Sequence, residues 1–307
     1  MSRANFYRRG TCRLCDGADL TPVLTLTPTP PANAFVAADA LGQPQAVFPL
    51  DLYFCESCFH VQLLDVVDPE ILFTDYVYVS GTSPVFVKHF ADYAASVLSR
   101  FDNGMNERLV IDIGSNDGTL LKQFKGQGLA VLGIDPAREI AAAATADGIE
   151  TMPTFFNSAL AQGIRAERGQ AAIVTANNVF AHADNLTDIA KGVKSLLADD
   201  GLFVFEVSYL VDVFENTLFD TIYHEHLAYH SVTPLIRFFS QHGMQLIDAE
   251  RIGTHGGSLR GIVQLAGGPR HVVQSVNRLE ELESGLGLNR AVTLRAYGDQ
   301  INAVRDE

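Results

Sequence analysis

One segment constrains this chain more than any other: Val110-Ile111-Asp112-Ile113-Gly114-Ser115-Asn116-Asp117-Gly118-Thr119-Leu120-Leu121. An apolar run delivers an acidic side chain, then a turn bounded by Gly114 and Gly118, and then an apolar helical pattern resumes. That order reads as a buried strand, a turn whose backbone can approach a ligand closely, and a helix beginning beside it. About 20 residues further on, a second apolar run ends in Gly133-Ile134-Asp135-Pro136, where an acid can accept hydrogen bonds from ribose hydroxyls. The pattern predicts a site for a nucleotide-type cofactor. A dinucleotide fingerprint would be G-x-G-x-x-G; this turn reads G-S-N-D-G, with no third glycine placed for a pyrophosphate, which weighs against NAD.

From residue 108 onward apolar runs alternate with helical patterns. Leu109 to Ile113, Ala130 to Ile134, Ala172 to Thr175 and Leu202 to Val207 read as strands, and Ala137 to Ala146 as a helix stopped by Gly148. Met244 to Ile247 and Leu259 to Leu265 read as the last two strands. Such alternation predicts an α/β fold with a mostly parallel sheet covered on both faces. Ahead of it, Thr82-Ser83-Pro84 reads as a helix start, followed by Phe86, Phe90, Tyr93, Val97 and Phe101 at helical spacing.

All four cysteines fall in two pairs, Cys12-x-x-Cys15 and Cys55-x-x-Cys58. Each turn supplies two thiolates with the bite that tetrahedral zinc needs, and four thiolates make a closed, structural site. Two unrelated pairs or a redox motif are the competing readings, but neither pair sits in a thioredoxin-like strand-helix pattern. Phe48 to Leu52 and Val61 to Leu64 flank the second pair as short strands, and Thr27-Pro28-Thr29-Pro30-Pro31 marks an irregular stretch.

The formal net charge of −14 disfavours nucleic-acid and anionic-membrane partners, which need basic patches. No apolar run approaches the roughly 20 residues of a membrane span, and the first ten residues lack a secretory apolar core, so a cytoplasmic address is expected.

Two polar segments follow the later strands, at the edge where open parallel sheets bind ligands. One is Asn177-Asn178-Val179-Phe180-Ala181-His182-Ala183-Asp184; the other, beyond Glu206, is Tyr223-His224-Glu225-His226-Leu227-Ala228-Tyr229-His230-Ser231. The second segment fits a metal site of no standard spacing, a set of satisfied core histidines, or acid–base chemistry in which a histidine takes a proton beside a carboxylate.

The D-x-G-x-x-x-G turn resembles class I methyltransferases, with Asn116 in place of their middle glycine. The reversal at His255-Gly256-Gly257-Ser258 is similar to the turn before that family's antiparallel last strand. Taken together, the cysteine pairs, VIDIGSNDGTLL, NNVFAH and YHEHLAYHS resemble the nucleotide-deoxysugar C-methyltransferases, which make branched sugars such as those on antibiotics. The resemblance spans essentially the whole chain. It implies a class I, Rossmann-like sheet with a small N-terminal zinc-binding domain (1–75), a methyltransferase domain (76–267) and the helical start of a shortened C-terminal domain (268–307). It further implies S-adenosylmethionine and structural zinc as cofactors, and methyl transfer to C-3 of a nucleotide-linked 4-keto sugar. A partner chain or a further domain would close the nucleotide end of the substrate.

Carried over by motif, His226 resembles the general base, with Tyr223 and Glu225 beside it. Tyr76, in Asp75-Tyr76-Val77-Tyr78, matches a tyrosine of the sugar pocket, and His182 a substrate-side histidine. Asp112, Gly114, Asn116, Gly118, Asp135 and Asn177 fall on cofactor positions, with Phe155 and Phe156 walling the adenine. In the expected chemistry His226, oriented by Glu225, removes the C-3 proton. Two other readings stand beside it: an O- or N-methyltransferase acting on another small molecule, and a non-catalytic zinc- and nucleotide-binding module.

Overall fold

The computed structural model describes residues 6–74, 76, 78–101 and 104–306. Asp75 and Val77, the neighbours of Tyr76, lie outside the described residues.

The N-terminal module is built from β1 (Phe6–Arg8), β2 (Leu20–Thr29), β3 (Phe48–Cys55), β4 (Val61–Leu63) and β5 (Asp65–Val67). β2, β3 and β4 form an antiparallel sheet, extended beyond β4 by the short strand Ala228–Tyr229, while β1 pairs with β5. The cysteine pairs occupy two turns of the same design. Cys12 N–H donates to the Gly17 carbonyl (2.9 Å) and Asp16 N–H to the Cys12 carbonyl (3.0 Å); Cys55 to His60 (2.9 Å) and Phe59 to Cys55 (2.8 Å) repeat the pattern. In both, the residue after the second cysteine, Asp16 or Phe59, takes a positive φ (57° and 72°). This costs about 1 kcal/mol at a non-glycine residue. The flanking strands expected around the second pair are β3 and β4.

Helices α1 (Pro69–Phe73) and α2 (Pro84–Leu98) lead into the second unit. Pro84 opens α2, where its missing N–H is one of the donors a helix start leaves unpaired anyway. β6 (Leu109–Ile113), α3 (Thr119–Lys125), β7 (Ala130–Ile134), α4 (Arg138–Ala146), β8 (Thr151–Met152), α5 (Ser158–Arg168), β9 (Ala171–Asn177), α6 (Leu186–Leu196) and β10 (Leu197–Ser208) follow in strict alternation. Then come α7 (Leu210–Glu215), β11 (Ala228–Tyr229), α8 (Val232–Gln241), β12 (Met244–Ile252) and β13 (Ser258–Leu265). The seven-stranded sheet runs β12-β13-β10-β9-β6-β7-β8, parallel from β10 to β8 and antiparallel at β13.

Alternate side chains of β6 explain the three layers. Val110 packs with Phe90, Tyr93 and Val97 of α2 and with Leu121 and Phe124 of α3. Ile111 and Ile113 face the opposite core with Ala161, Ile164, Ile189 and Val193 of α5 and α6. A strand buried on both faces is apolar along most of its length, which is why these runs show no polar alternation and why Asp112, near the end of β6, stands out.

The tail forms α9 (Gln274–Gly285) and α10 (Ala291–Asp306). Both pack onto the units already described. Buried Glu283 of α9 accepts hydrogen bonds from Val232 N (2.6 Å), Thr233 N (2.9 Å), Thr233 Oγ1 (2.6 Å) and the Tyr209 hydroxyl (2.8 Å), so a carboxylate closes the N-terminus of α8. α10 lies on β2 so closely that a Cβ at Gly298 would overlap the Val23 carbonyl.

Candidate active site

A cavity of about 820 Å³ opens beyond the carboxyl ends of β6, β7 and β9, and the N-terminal module covers it. One half is built by the strand ends. β6 carries Asp112 to the edge between its two neighbouring strands, where the Thr175 hydroxyl of β9 donates to its carboxylate (2.6 Å). Burial pushes that carboxyl up to about 7 against the Thr175 hydrogen bond, with Asp135 adding to the rise. Gly114 turns at φ 71°, and a Cβ there would overlap Val179. Asp135 closes β7, accepting from Asn116 N (2.8 Å) and Ala137 N (2.9 Å), which ties the two turns together.

Asn116 holds φ 50°, a conformation that asparagine tolerates better than most residues. Its side chain accepts from Ser80 N (2.9 Å) and donates to the Tyr78 carbonyl (2.9 Å), so the strap between the units is latched to the turn after β6. Phe155, Phe156 and Asn177 line the same half. Phe156 also packs on Gly192, where a Cβ would come within 2.9 Å of its ring. Gly118 is not on the cavity wall. It starts α3 at φ 73°, with Ile149 2.9 Å from where a Cβ would sit, so its role is in the turn.

The other half gathers His182, Tyr223, His226 and Tyr76. His226 Nδ1 lies 2.9 Å from the Thr221 carbonyl, and since a carbonyl only accepts, Nδ1 carries the proton. In the neutral ring Nε2 is then the basic nitrogen, and the Tyr223 hydroxyl donates to it (2.9 Å). The His182 ring stacks on Phe73 (5.5 Å) and faces His226 at 5.1 Å. Burial, together with the neighbouring His226, holds the His182 pKa well below the ordinary histidine value.

Glu225 departs from the expectation that it orients His226. Its carboxylate accepts from Asn33 Nδ2 (2.5 Å) and the Tyr76 hydroxyl (3.3 Å), and it lies behind the wall. Successive residues of a tight turn point to different sides, and the carbonyl of Thr221 takes the orienting place. Burial raises the Glu225 pKa, and burial with the nearby carboxylate raises those of Tyr76 and Tyr223.

The two remaining histidines of the segment are structural: His224 Nε2 donates to the Phe48 carbonyl (3.1 Å) and His230 Nε2 to that of Phe180 (3.3 Å). Glu206 is held by Arg260 Nε (2.7 Å) and His89 Nε2 (2.8 Å). Sequence reasoning missed Asn33 and the Thr221 carbonyl. The first comes from an irregular loop far along the chain, and the second is a backbone group with no residue-type signal.

The four cysteine sulfurs lie within 4.8 Å of one another, with Cys12–Cys58 at 3.6 Å and Cys15–Cys55 at 3.5 Å. Zn–S bonds of about 2.3 Å in a tetrahedron put thiolates about 3.8 Å apart, so the donor set fits zinc.

Residues 12–73 match the family described as "Putative zinc binding domain", and residues 86–249 match the family described as "Methyltransferase domain". The C-methyltransferase NovU of Streptomyces niveus is 33% identical over 295 residues, covering 96% of this chain and 70% of that protein. This chain belongs to the S-adenosylmethionine-dependent C-methyltransferases.

Similar solved structures include the magnesium protoporphyrin IX methyltransferase ChlM of Synechocystis PCC 6803 with bound S-adenosylmethionine (16% identity, 58% of this chain and 78% of that one, TM-score 0.43). Another is the plantazolicin methyltransferase BpumL in complex with a pentazolic desmethylPZN analog and S-adenosylhomocysteine (12% identity, 60% and 86%, TM-score 0.48). The methyltransferase uses S-adenosylmethionine, and its cysteine cluster is a zinc site. The residues present suit that cofactor: the Asn177 amide is buried at the cavity with Nδ2 and Oδ1 lacking a well-aligned partner among the described residues, beside the Gly114 turn and Asp135. Among the described residues no helix is long and apolar enough to cross a membrane.

Proposed function

We propose that this methyltransferase adds a methyl group to C-3 of a nucleotide-linked 4-keto deoxysugar, after His226 removes the proton there. The observation that carries the reading is the tautomer of His226. With Nδ1–H held by the Thr221 carbonyl, the basic Nε2 lies at the cavity, and the Tyr223 hydroxyl marks a position from which a proton can reach it. A base set in advance is what a C–H bond next to a ketone requires, since carbon is a poor nucleophile until that proton is gone.

When bound, S-adenosylmethionine supplies the electrophilic methyl group. The chain's own residues do the rest. His226 Nε2 accepts the C-3 proton, and the electron pair of the broken C–H bond moves toward the ketone oxygen as an enolate. His182 Nε2 is buried without a hydrogen-bond partner among the described residues, so a ring nitrogen is available to the oxygen where charge develops. Tyr76, with its hydroxyl directed to Glu225, lines the sugar side. The apolar wall of Val66, Val67, Leu72 and Phe73 limits water around the enolate.

Support also comes from the relative's name, which specifies transfer to carbon. The test is incubation with nucleotide-linked 4-keto deoxysugars and methyl-labelled S-adenosylmethionine, read by carbon NMR. Label on a carbon next to the ketone is expected, whereas label on oxygen or nitrogen would replace this reading with O- or N-methylation.

A further inference from the structure

Arg13 stands between the two ligands of the first zinc turn, yet its side chain points away from solvent entirely. An unpaired guanidinium at that depth costs several kcal/mol, so its partners determine where it sits. NH1 donates to Gln62 Oε1 (3.0 Å) and to the Leu63 carbonyl, fixing it to β4, and Nε lies 3.0 Å from Asp184 Oδ1. Asp184 also accepts from the Tyr7 hydroxyl and from Arg9 NH1 (3.3 Å). It thus joins the N-terminal module to the segment that leaves β9. Two residues before it is His182, whose N–H closes a turn onto the Val179 carbonyl (2.8 Å). Both Asp184 and His182 line the cavity.

We propose that Arg13 is a positioning residue that transmits the geometry of the zinc turn to the substrate side of the cavity, through Asp184 to His182. Zinc holds the backbone on both sides of Arg13, Arg13 holds Asp184, and Asp184 anchors the run from Val179 to Asn185. The structural metal thereby sets the position of a side chain in the reacting half of the cavity, although no ligand of the metal reaches it. The importance of His182 for the sugar rests on the function proposed above; the mechanical link does not.

The test compares Arg13→Met, Arg13→Lys and Asp184→Asn with the parent, each zinc-loaded and with S-adenosylmethionine bound. The primary readout is hydrogen exchange across residues 178–185. Arg13→Met and Asp184→Asn should each speed exchange there by about tenfold or more, with Arg13→Lys intermediate and the double variant no faster than Asp184→Asn alone. Zinc content and cofactor affinity should stay at parent values, while kcat/KM for the keto sugar falls. Asp184→Asn leaves the zinc turn untouched but also loosens the Tyr7 and Arg9 contacts. Arg13→Lys alters the Arg13 link alone, so it decides the matter if Arg13→Met folds poorly, and parent-like exchange in it would then overturn the proposal. Parent-like exchange in Asp184→Asn would overturn the proposal. So would faster exchange in Arg13→Met that appears only with loss of zinc. A parent inactive on every keto sugar, with exchange still accelerated in the variants, would instead sink the substrate reading alone.

Discussion

The Tyr223 hydroxyl sits 2.9 Å from His226 Nε2, on the ring nitrogen that the Thr221 carbonyl leaves unprotonated by holding Nδ1–H. Removing that hydroxyl removes a hydrogen bond to the basic nitrogen but leaves the tautomer intact. Tyr223→Phe should therefore lower kcat by about 10- to 100-fold with cofactor affinity unchanged, less than His226→Asn would. Steady-state kinetics alongside calorimetric titration with S-adenosylmethionine checks this; a parent-like kcat would remove Tyr223 from the reacting group.

Asp112 sets a pH dependence of stability. Its folded carboxyl, pushed up to about 7 by burial, lies above its ordinary value of 3.8, so the folded state binds the extra proton between those limits. The associated stability is fully present below about 3.8 and is lost as pH rises through about 7. Asp112→Asn keeps an acceptor for the Thr175 hydroxyl and removes the titration. Denaturant midpoints between pH 4 and 8 should fall with rising pH in the parent, with a slope that the variant lacks by about one proton. An unchanged slope would contradict the assignment.

Asn116 combines a left-handed backbone with two hydrogen bonds to the strap at residues 78–80. Asn116→Gly keeps the backbone and loses the latch, while Asn116→Ala loses both. The alanine variant should be less stable than the glycine variant by about 1 kcal/mol, the reverse of their order in a helix. Thermal unfolding with cofactor bound measures the difference. Equal stability would mean that the turn relaxes out of positive φ at no cost.

Zinc removal should destabilise the N-terminal module, because four thiolates packed within 4.8 Å of one another hold its two turns together. One zinc per chain by elemental analysis, and a fall in melting temperature on chelation, are the expected outcomes. Cys58→Ser should reproduce the fall without chelator. Unchanged melting after complete zinc loss would show the metal to be dispensable.

Much of this was readable in the chain because the signals are local. A doubly buried strand such as Leu109–Ile113 is apolar except where a polar side chain is carried to the site, as Asp112 is, and a turn that approaches a ligand needs Gly114. A zinc turn needs its cysteines three apart. Most strand limits agree within a few residues, but Leu197–Ser208 begins five residues before the expected Leu202, and Met244–Ile252 runs past the expected Ile247 because its last part pairs with β13 with little apolar content. Less readable were relations made only by tertiary packing. Tyr223, His224, Glu225, His226 and His230 look alike as a polar cluster, yet Phe48 and Phe180 carbonyls from distant elements take two of the histidines, and Asn33 draws Glu225 away from the third. Glu283 capping α8 is equally silent in sequence, since nothing near residue 283 marks its partner at residue 232.

The most direct test of the central claim follows solvent deuterium into C-3 of a nucleotide-linked 4-keto deoxysugar by proton NMR, with S-adenosylhomocysteine bound so that no methyl group can leave. The parent should exchange that proton, and His226→Asn should lose the exchange by about 100-fold or more while binding S-adenosylhomocysteine normally. Exchange that survives in His226→Asn would show that another group is the base. No exchange in a parent that still methylates would contradict deprotonation at carbon altogether.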